Sequence, residues 1–196
     1  EKSAPIPVVR WEGIELSRHH KIGPDRYRFH GHNLSFPRDL DSGKFVDAVV
    51  NPLTGERVKV PPMALTNDPG SVISPRGIIR LDAPSAAPRP EYRLFRREGA
   101  FVKVDAIRVP PAGWPVTFVE MGCESTPAEL FDDARLEWLP SEVSGGYVFP
   151  WPEWMNMGKA GGHMFATWRG YKLRDIGELP TEFRQRAERE FPQLLQ

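Results

Sequence analysis

Arg26-Tyr27-Arg28-Phe29-His30-Gly31-His32-Asn33-Leu34-Ser35-Phe36 alternates along its length. Side chains of a strand point to opposite faces in turn. Tyr27, Phe29, Gly31 and Asn33 therefore share one face, and Arg28, His30, His32, Leu34 and Phe36 share the other. The pattern reads as a β-strand over residues 26–36. Outward from it, residues 39–43 (DLDSG) have the Asp and Gly content of a tight connection, and residues 44–50 read as a second strand. In residues 51–55 (NPLTG), Pro52 pre-sets one dihedral and Gly55 closes the turn before a short strand at 57–60. Residues 91–97 and 100–109 flank Glu98-Gly99 as a hairpin. Residues 116–121 and 163–168 read as further strands.

Two helices interrupt this pattern. Thr126-Pro127-Ala128-Glu129 is a capping box with proline at the first helical position, predicting a short helix over 127–133. A second covers 180–191, where Leu179, Phe183, Ala187 and Phe191 recur every four residues as one apolar stripe. The pairs Glu182/Arg186 and Arg184/Glu188 support it, and Pro192 ends it. Seven or eight strands with two short helices predict a mainly β fold in a single domain over residues 1–196. Its expected form is an antiparallel β-barrel or a strongly curved sheet.

Composition narrows the function classes. The chain has 26 basic and 26 acidic residues, which argues against a nucleic-acid partner or an anionic membrane surface. The one cysteine, Cys123, excludes an internal disulfide framework and a zinc site built on several thiolates. Proline is 21 of 196 residues, about double the usual share, which disfavours long helices. The Pro-rich stretches 83–90 and 110–115 read as surface crossings. No apolar run approaches a membrane span. The chain opens on Glu1 with no signal peptide in view, so a soluble protein of the cytoplasm or periplasm is expected, with the choice open.

Two stretches resemble a known family. Residues 41–69 contain DSGKFVDAVVNPLTGERVKVP and then NDP. Residues 151–180 contain WPEWMNMGKAGG, then RGYKL and ELP. Together they resemble the bacterial and fungal domain family of unknown function numbered 1838, over about a third of the chain. Leu53 stands where that family usually has an aromatic residue. Pro61-Pro62 replaces its common Pro-His, so a histidine available to other members is absent here. The resemblance implies a link to breakdown of plant-derived aromatic compounds, lignin fragments among them.

The residues that could carry chemistry cluster early. His19, His20, His30 and His32 lie within fourteen positions. His30 and His32 point to one side of their strand. Three readings stay open: a cupin-like metal site completed by His163 and Glu120, a solvent-facing strand edge shared with Arg28, or a metal-free site with a histidine as base. Glu120 follows Val116 and Phe118 on one face, where a carboxylate is costly unless paired and its pKa rises. Asp105 shares a face with Lys103 and reads as a surface residue. Residues 146–158 (GYVFPWPEWMNMG) offer Tyr147, Phe149, Trp151 and Trp154, a soft wall for a flat ligand or a plug closing a barrel end. Cys123 has no base beside it. No serine-elbow, Walker or dinucleotide pattern is present.

The sequence therefore points to a cofactor-independent lyase or isomerase acting on a small aromatic molecule in a barrel cavity. His30, His32, Tyr27 and Glu120 are the candidate proton-transfer groups. Arg28, Tyr147, Phe149, Trp151 and Trp154 are the candidate substrate-binding residues, with no metal. The alternatives are a non-catalytic ligand-binding barrel and a metal-dependent cupin-like enzyme. A homodimer is expected, because open sheets and aromatic-rich segments need cover.

Overall fold

The alternating stretch forms β2 (Arg26–Arg38), which lies between β1 (Arg10–Gly23) and β5 (Met63–Ser74). With β6 (Gly77–Arg80) beyond β5, these make a four-stranded sheet. This is a computed structural model, and it describes residues 4–74, 77–81, 91–108, 119–133 and 135–195. The Pro-rich stretches 83–90 and 110–115, and the start of the strand expected at 116–121, lie outside the described residues.

The second sheet has five strands in the order β11-β10-β9-β8-β7. These are β7 (Glu91–Glu98), β8 (Phe101–Arg108), β9 (Val119–Pro127), β10 (Glu142–Pro150) and β11 (His163–Tyr171). Every pairing is antiparallel. A small ladder joins β3 (Ala48–Val50) to β4 (Arg57–Lys59). The two helices are α1 (Ala128–Phe131) and α2 (Thr181–Glu190). The fold is thus mainly β and antiparallel. Its strands form two open sheets and not a closed barrel. β1, β5, β6 and β10 are not legible as strands in the sequence, and the ladder of residues 44–50 is shorter than its sequence suggests. Phe45 makes an isolated antiparallel bridge with Arg38, and its ring lies 5.7 Å from Phe36 and 6.5 Å from Phe183.

Directly paired residues of an antiparallel ladder share a face. Ile14 pairs with Leu34 and Glu12 with Phe36, so one face of the first sheet offers this apolar row to α2. Leu34, Phe36, Leu179, Phe183, Ala187 and Leu194 form one buried cluster. The rings of Phe36 and Phe183 meet edge-on at 5.4 Å. Two arginines roof the cluster. The Arg38 guanidinium lies 3.6 Å over the Phe45 ring and pairs with Glu12 and with Glu182, the latter at 3.2 Å. Arg186 lies 4.5 Å over the Phe36 ring and bonds Asp47 at 2.6 Å. The apolar stripe of α2 faces inward as its spacing predicts.

A second anchor joins residues 51–56 to residues 155–157. Asn51 is fully buried. Its Nδ2 donates to the Met155 carbonyl at 2.7 Å, and its Oδ1 accepts from the Leu53 N–H at 2.9 Å. The 51–55 turn closes as expected, with the Gly55 N–H donating to the Asn51 carbonyl at 2.8 Å and Gly55 at φ +75°. Asn156 Nδ2 adds a bond to Glu56 at 3.2 Å.

Two stability outcomes follow from these anchors. Phe183→Ala empties the centre of the helix-sheet core and should cost about 3–5 kcal/mol in urea unfolding. A loss below about 0.5 kcal/mol would place that face in solvent. Asn51→Ala leaves the Met155 carbonyl and the Leu53 N–H without their partner and should cost about 1–3 kcal/mol. An unchanged denaturation midpoint would show that the turn does not depend on that bond.

Candidate functional site

The face of the first sheet away from α2 carries a different set of side chains. Glu15 pairs with Asn33 and His19 with Phe29, and all four lie opposite the Leu34/Phe36 side. Arg108 and Glu120 lie close enough to Glu15 to act on its charge, and Arg93, Glu124 and Lys172 act likewise on His19. All but Lys172, which follows β11, belong to the second sheet. The two sheets therefore face each other across a cleft. Glu15 and His19 are four residues apart on β1, as Glu120 and Glu124 are on β9. The two strands stack in the same direction.

Register assembles the second wall. β8 pairs Arg108 with Glu120, and β10 pairs Tyr147 with Glu120, so the three stand side by side. Arg108 Nη1 donates to Glu120 Oε1 at 3.2 Å. Tyr147 and Phe149 follow one another on this face with ring centroids 5.4 Å apart. The Trp168 indole lies against Gly122 and Gly145. A Cβ on Gly145 would stand 2.4 Å from the indole, so only glycine admits the ring there. Leu65 and Phe95 belong to the cleft faces of their sheets and stay exposed at 59% and 60%, leaving apolar surface for a ligand.

The electrostatics divide the cleft. Burial pushes the Glu15 carboxyl above its ordinary value, Arg108 opposes the shift and Glu120 adds to it. Solvent nonetheless reaches Glu15. Burial, with Glu120 second, raises the Tyr147 phenol, which stays protonated at neutral pH and can donate. Burial, then Arg93 and Lys172, lowers His19 against the pull of Glu124, so its imidazole is neutral. His19 rests on the Phe29 ring at 5.0 Å.

Of the residues the sequence nominated, the structure gathers Glu120, Tyr147 and Phe149 in this cleft. Tyr27 lies on the same face of the first sheet as Glu15, at the far end of β2 and partly exposed. His30, His32 and Arg28 lie on the other face, in line with Leu34 and Phe36, as alternation requires. Convergence of these histidines with Glu120 inside a barrel does not occur, because two open sheets replace the barrel and Glu120 meets the opposite face of β2. The His30 ring lies against Gly70, and His32 Nδ1 is 3.2 Å from Thr66 Oγ1. Trp151 and Trp154 follow the end of β10. Trp151, with Pro152, Met157 and Gly162, lines a groove of about 470 Å³.

The remaining candidates sit outside the cleft. Asp105 is on the outer face of the second sheet, bonded by Arg96 Nε at 2.8 Å. Cys123 shares that face, and burial together with Asp105 pushes its thiol up. His163 is exposed there too. Among the described residues no group of three His, Cys, Asp or Glu side chains is placed to hold a metal. Sequence reasoning missed Glu15 and Arg108. The signal available for Glu15 was an acid held between Ile14 and Leu16.

The raised Glu15 pKa has a pH consequence. The folded state holds this proton more tightly than the unfolded state, so stability falls as pH climbs from the ordinary carboxylate value through the raised one. Glu15→Gln removes that loss. Its melting temperature should exceed wild type at about pH 7.5, with the gap closing by about pH 3.5, where both states are protonated. An equal gap at both pH values in a thermal scan would remove titration as its source. No family model, curated protein or solved structure matches this chain.

Proposed function

We propose that the chain is a cofactor-independent lyase or isomerase that moves protons on a small aromatic molecule held between the two sheets. One observation carries this reading: Glu15 and Glu120 reach a single cleft from different sheets, beside Arg108 and the Tyr147 phenol. Burial raises the proton affinity of Glu15, which suits a carboxyl group to acid–base chemistry. Glu15, desolvated yet reachable, is the proton-transfer group. Tyr147 donates to oxygen as negative charge develops there. Arg108 positions Glu120 through their ion pair and attracts an anionic substrate oxygen. Phe149 and Trp168 supply flat apolar contact for a ring. The family resemblance, with its aromatic-compound association, agrees with that substrate class.

Two other readings are separated by the same experiment. A non-catalytic binder would use the cleft walls without the proton-transfer groups. A histidine-based or cupin-like metal enzyme would depend on His30 and His32. The test screens hydroxylated aromatic acids and ketones for product by chromatography and for binding by tryptophan fluorescence. Glu15→Gln and Tyr147→Phe should each lower turnover about 100-fold or more while changing affinity only a few-fold. His30→Gln and His32→Gln should keep the wild-type rate. Loss of turnover in the histidine variants alone, or in chelator alone, would move the chemistry to β2. Binding without turnover of any compound would support the binder.

A further inference from the structure

We propose that the outer face of the second sheet, the side away from the cleft, is the interface of a two-fold homodimer. Tyr92, Leu94, Ile107, Met121 and Phe165 are between 43% and 65% exposed. Register puts three of them in one row. Tyr92 pairs with Ile107, Ile107 with Met121, and Met121 with Gly146. Gly146 has no side chain, and the Phe165 ring closes over it from β11, 3.4 Å from where a Cβ would be. The row runs over β7, β8 and β9, and Phe165, two residues from the in-register Thr167, extends the apolar surface onto β11 across Gly146. Scattered apolar side chains on a surface need no explanation, but a continuous band of this width does.

Charge and area select the occupant. Beside the band, Arg96 bonds Asp105 at 2.8 Å and pairs with Glu98, and Lys103 Nζ bonds Glu98 at 2.7 Å. Two cations and two anions satisfy one another, so this group has no net charge to attract nucleic acid or an anionic membrane. It repels an identical face no more than it attracts it, and the whole chain is balanced at 26 and 26. Five strands of eight or nine residues present a footprint of about 24 by 28 Å. That approaches the ~800 Å² per partner of a standard specific interface. A second copy fits it: two identical sheets pack face to face with strands nearly aligned, and a two-fold axis sets the apolar row of one copy on the row of the other.

The experiment combines sedimentation velocity from about 1 to 100 µM with maleimide labelling of Cys123, the sole thiol, which lies on this face. The dimer should dominate at the upper concentrations, and Cys123 should label several-fold more slowly there than at the lower ones. Met121→Glu and Phe165→Glu alter exposed side chains, so they should keep the wild-type circular dichroism and melting temperature. Both should sediment as monomers with concentration-independent labelling. Leu53→Glu, an exposed change in the 51–55 turn, should leave the dimer intact. A wild-type monomer throughout overturns the proposal. So does a dimer that persists in both charge variants, or one whose formation leaves Cys123 labelling unchanged.

Discussion

Phe36 against Phe183 is the contact on which the rest of the arrangement depends. With period-two side chains, committing Phe36 to the helix commits Leu34, His32 and His30 to the same side. It equally commits Asn33 and Phe29, with their partners Glu15 and His19, to the other. A one-residue slip of β2 would turn Asn33 and Ser35 toward α2 and present Phe36 to the cleft. The edge-on rings, the buried Leu34 and the roofing by Arg38 and Arg186 exclude that slip. The position of Glu15 is thus fixed by packing on the opposite side of the sheet.

The cleft departs from ordinary sheet packing. Facing sheets usually interdigitate apolar side chains into a core. Here Glu15, Arg108, Glu120 and Tyr147 occupy the intervening space, where carboxyl and guanidinium groups lose hydration and regain only part of it by pairing. Such an arrangement persists when stability is supplied elsewhere. It is supplied by the α2 core, by the Asn51 clamp, and by the buried Thr126–Ser141 hydroxyl pair at 2.7 Å. Local rules of burial are broken most often at functional sites, and the breach here is confined to one face of each sheet.

What could be read from the sequence follows from how local each signal is. The strand at Arg26–Phe36, the two glycine-closed turns and the α2 stripe are encoded within a few residues of themselves, and they appear where expected. β1 is encoded poorly, because its apolar residues are sparse and Arg18, His19, His20 and Lys21 look like a loop. Its strand character comes from pairing with β2. The site was half legible. Glu120 and Tyr147 stood out as polar groups in apolar company. Glu15 and Arg108 acquire meaning only when two sheets meet, and sheet-to-sheet stacking leaves no periodic trace. The histidine pair drew attention through density and alternation, and alternation assigned its side of β2 correctly, but the expected cavity shared with Glu120 lies against the other side of that strand.

Gly145 and Gly146 at the middle of β10 tie the two faces of the second sheet together. Successive residues of a strand point opposite ways, so one glycine removes bulk from the cleft side and the other from the outer side. β11 uses both vacancies. Trp168 folds over Gly145 into the cleft wall, and Phe165 folds over Gly146 into the outer band. Each ring covers backbone that would otherwise meet water, in the manner of an aromatic residue packing over a strand glycine. The strand is thinned on both sides at one level, yet the two faces remain chemically separate. A side chain at position 145 would press on the indole and on the Met121 carbonyl, and one at 146 on the Ala166 carbonyl and the Phe165 ring. The shapes of the proposed ligand face and of the proposed subunit face are therefore coupled through the backbone of a single dipeptide.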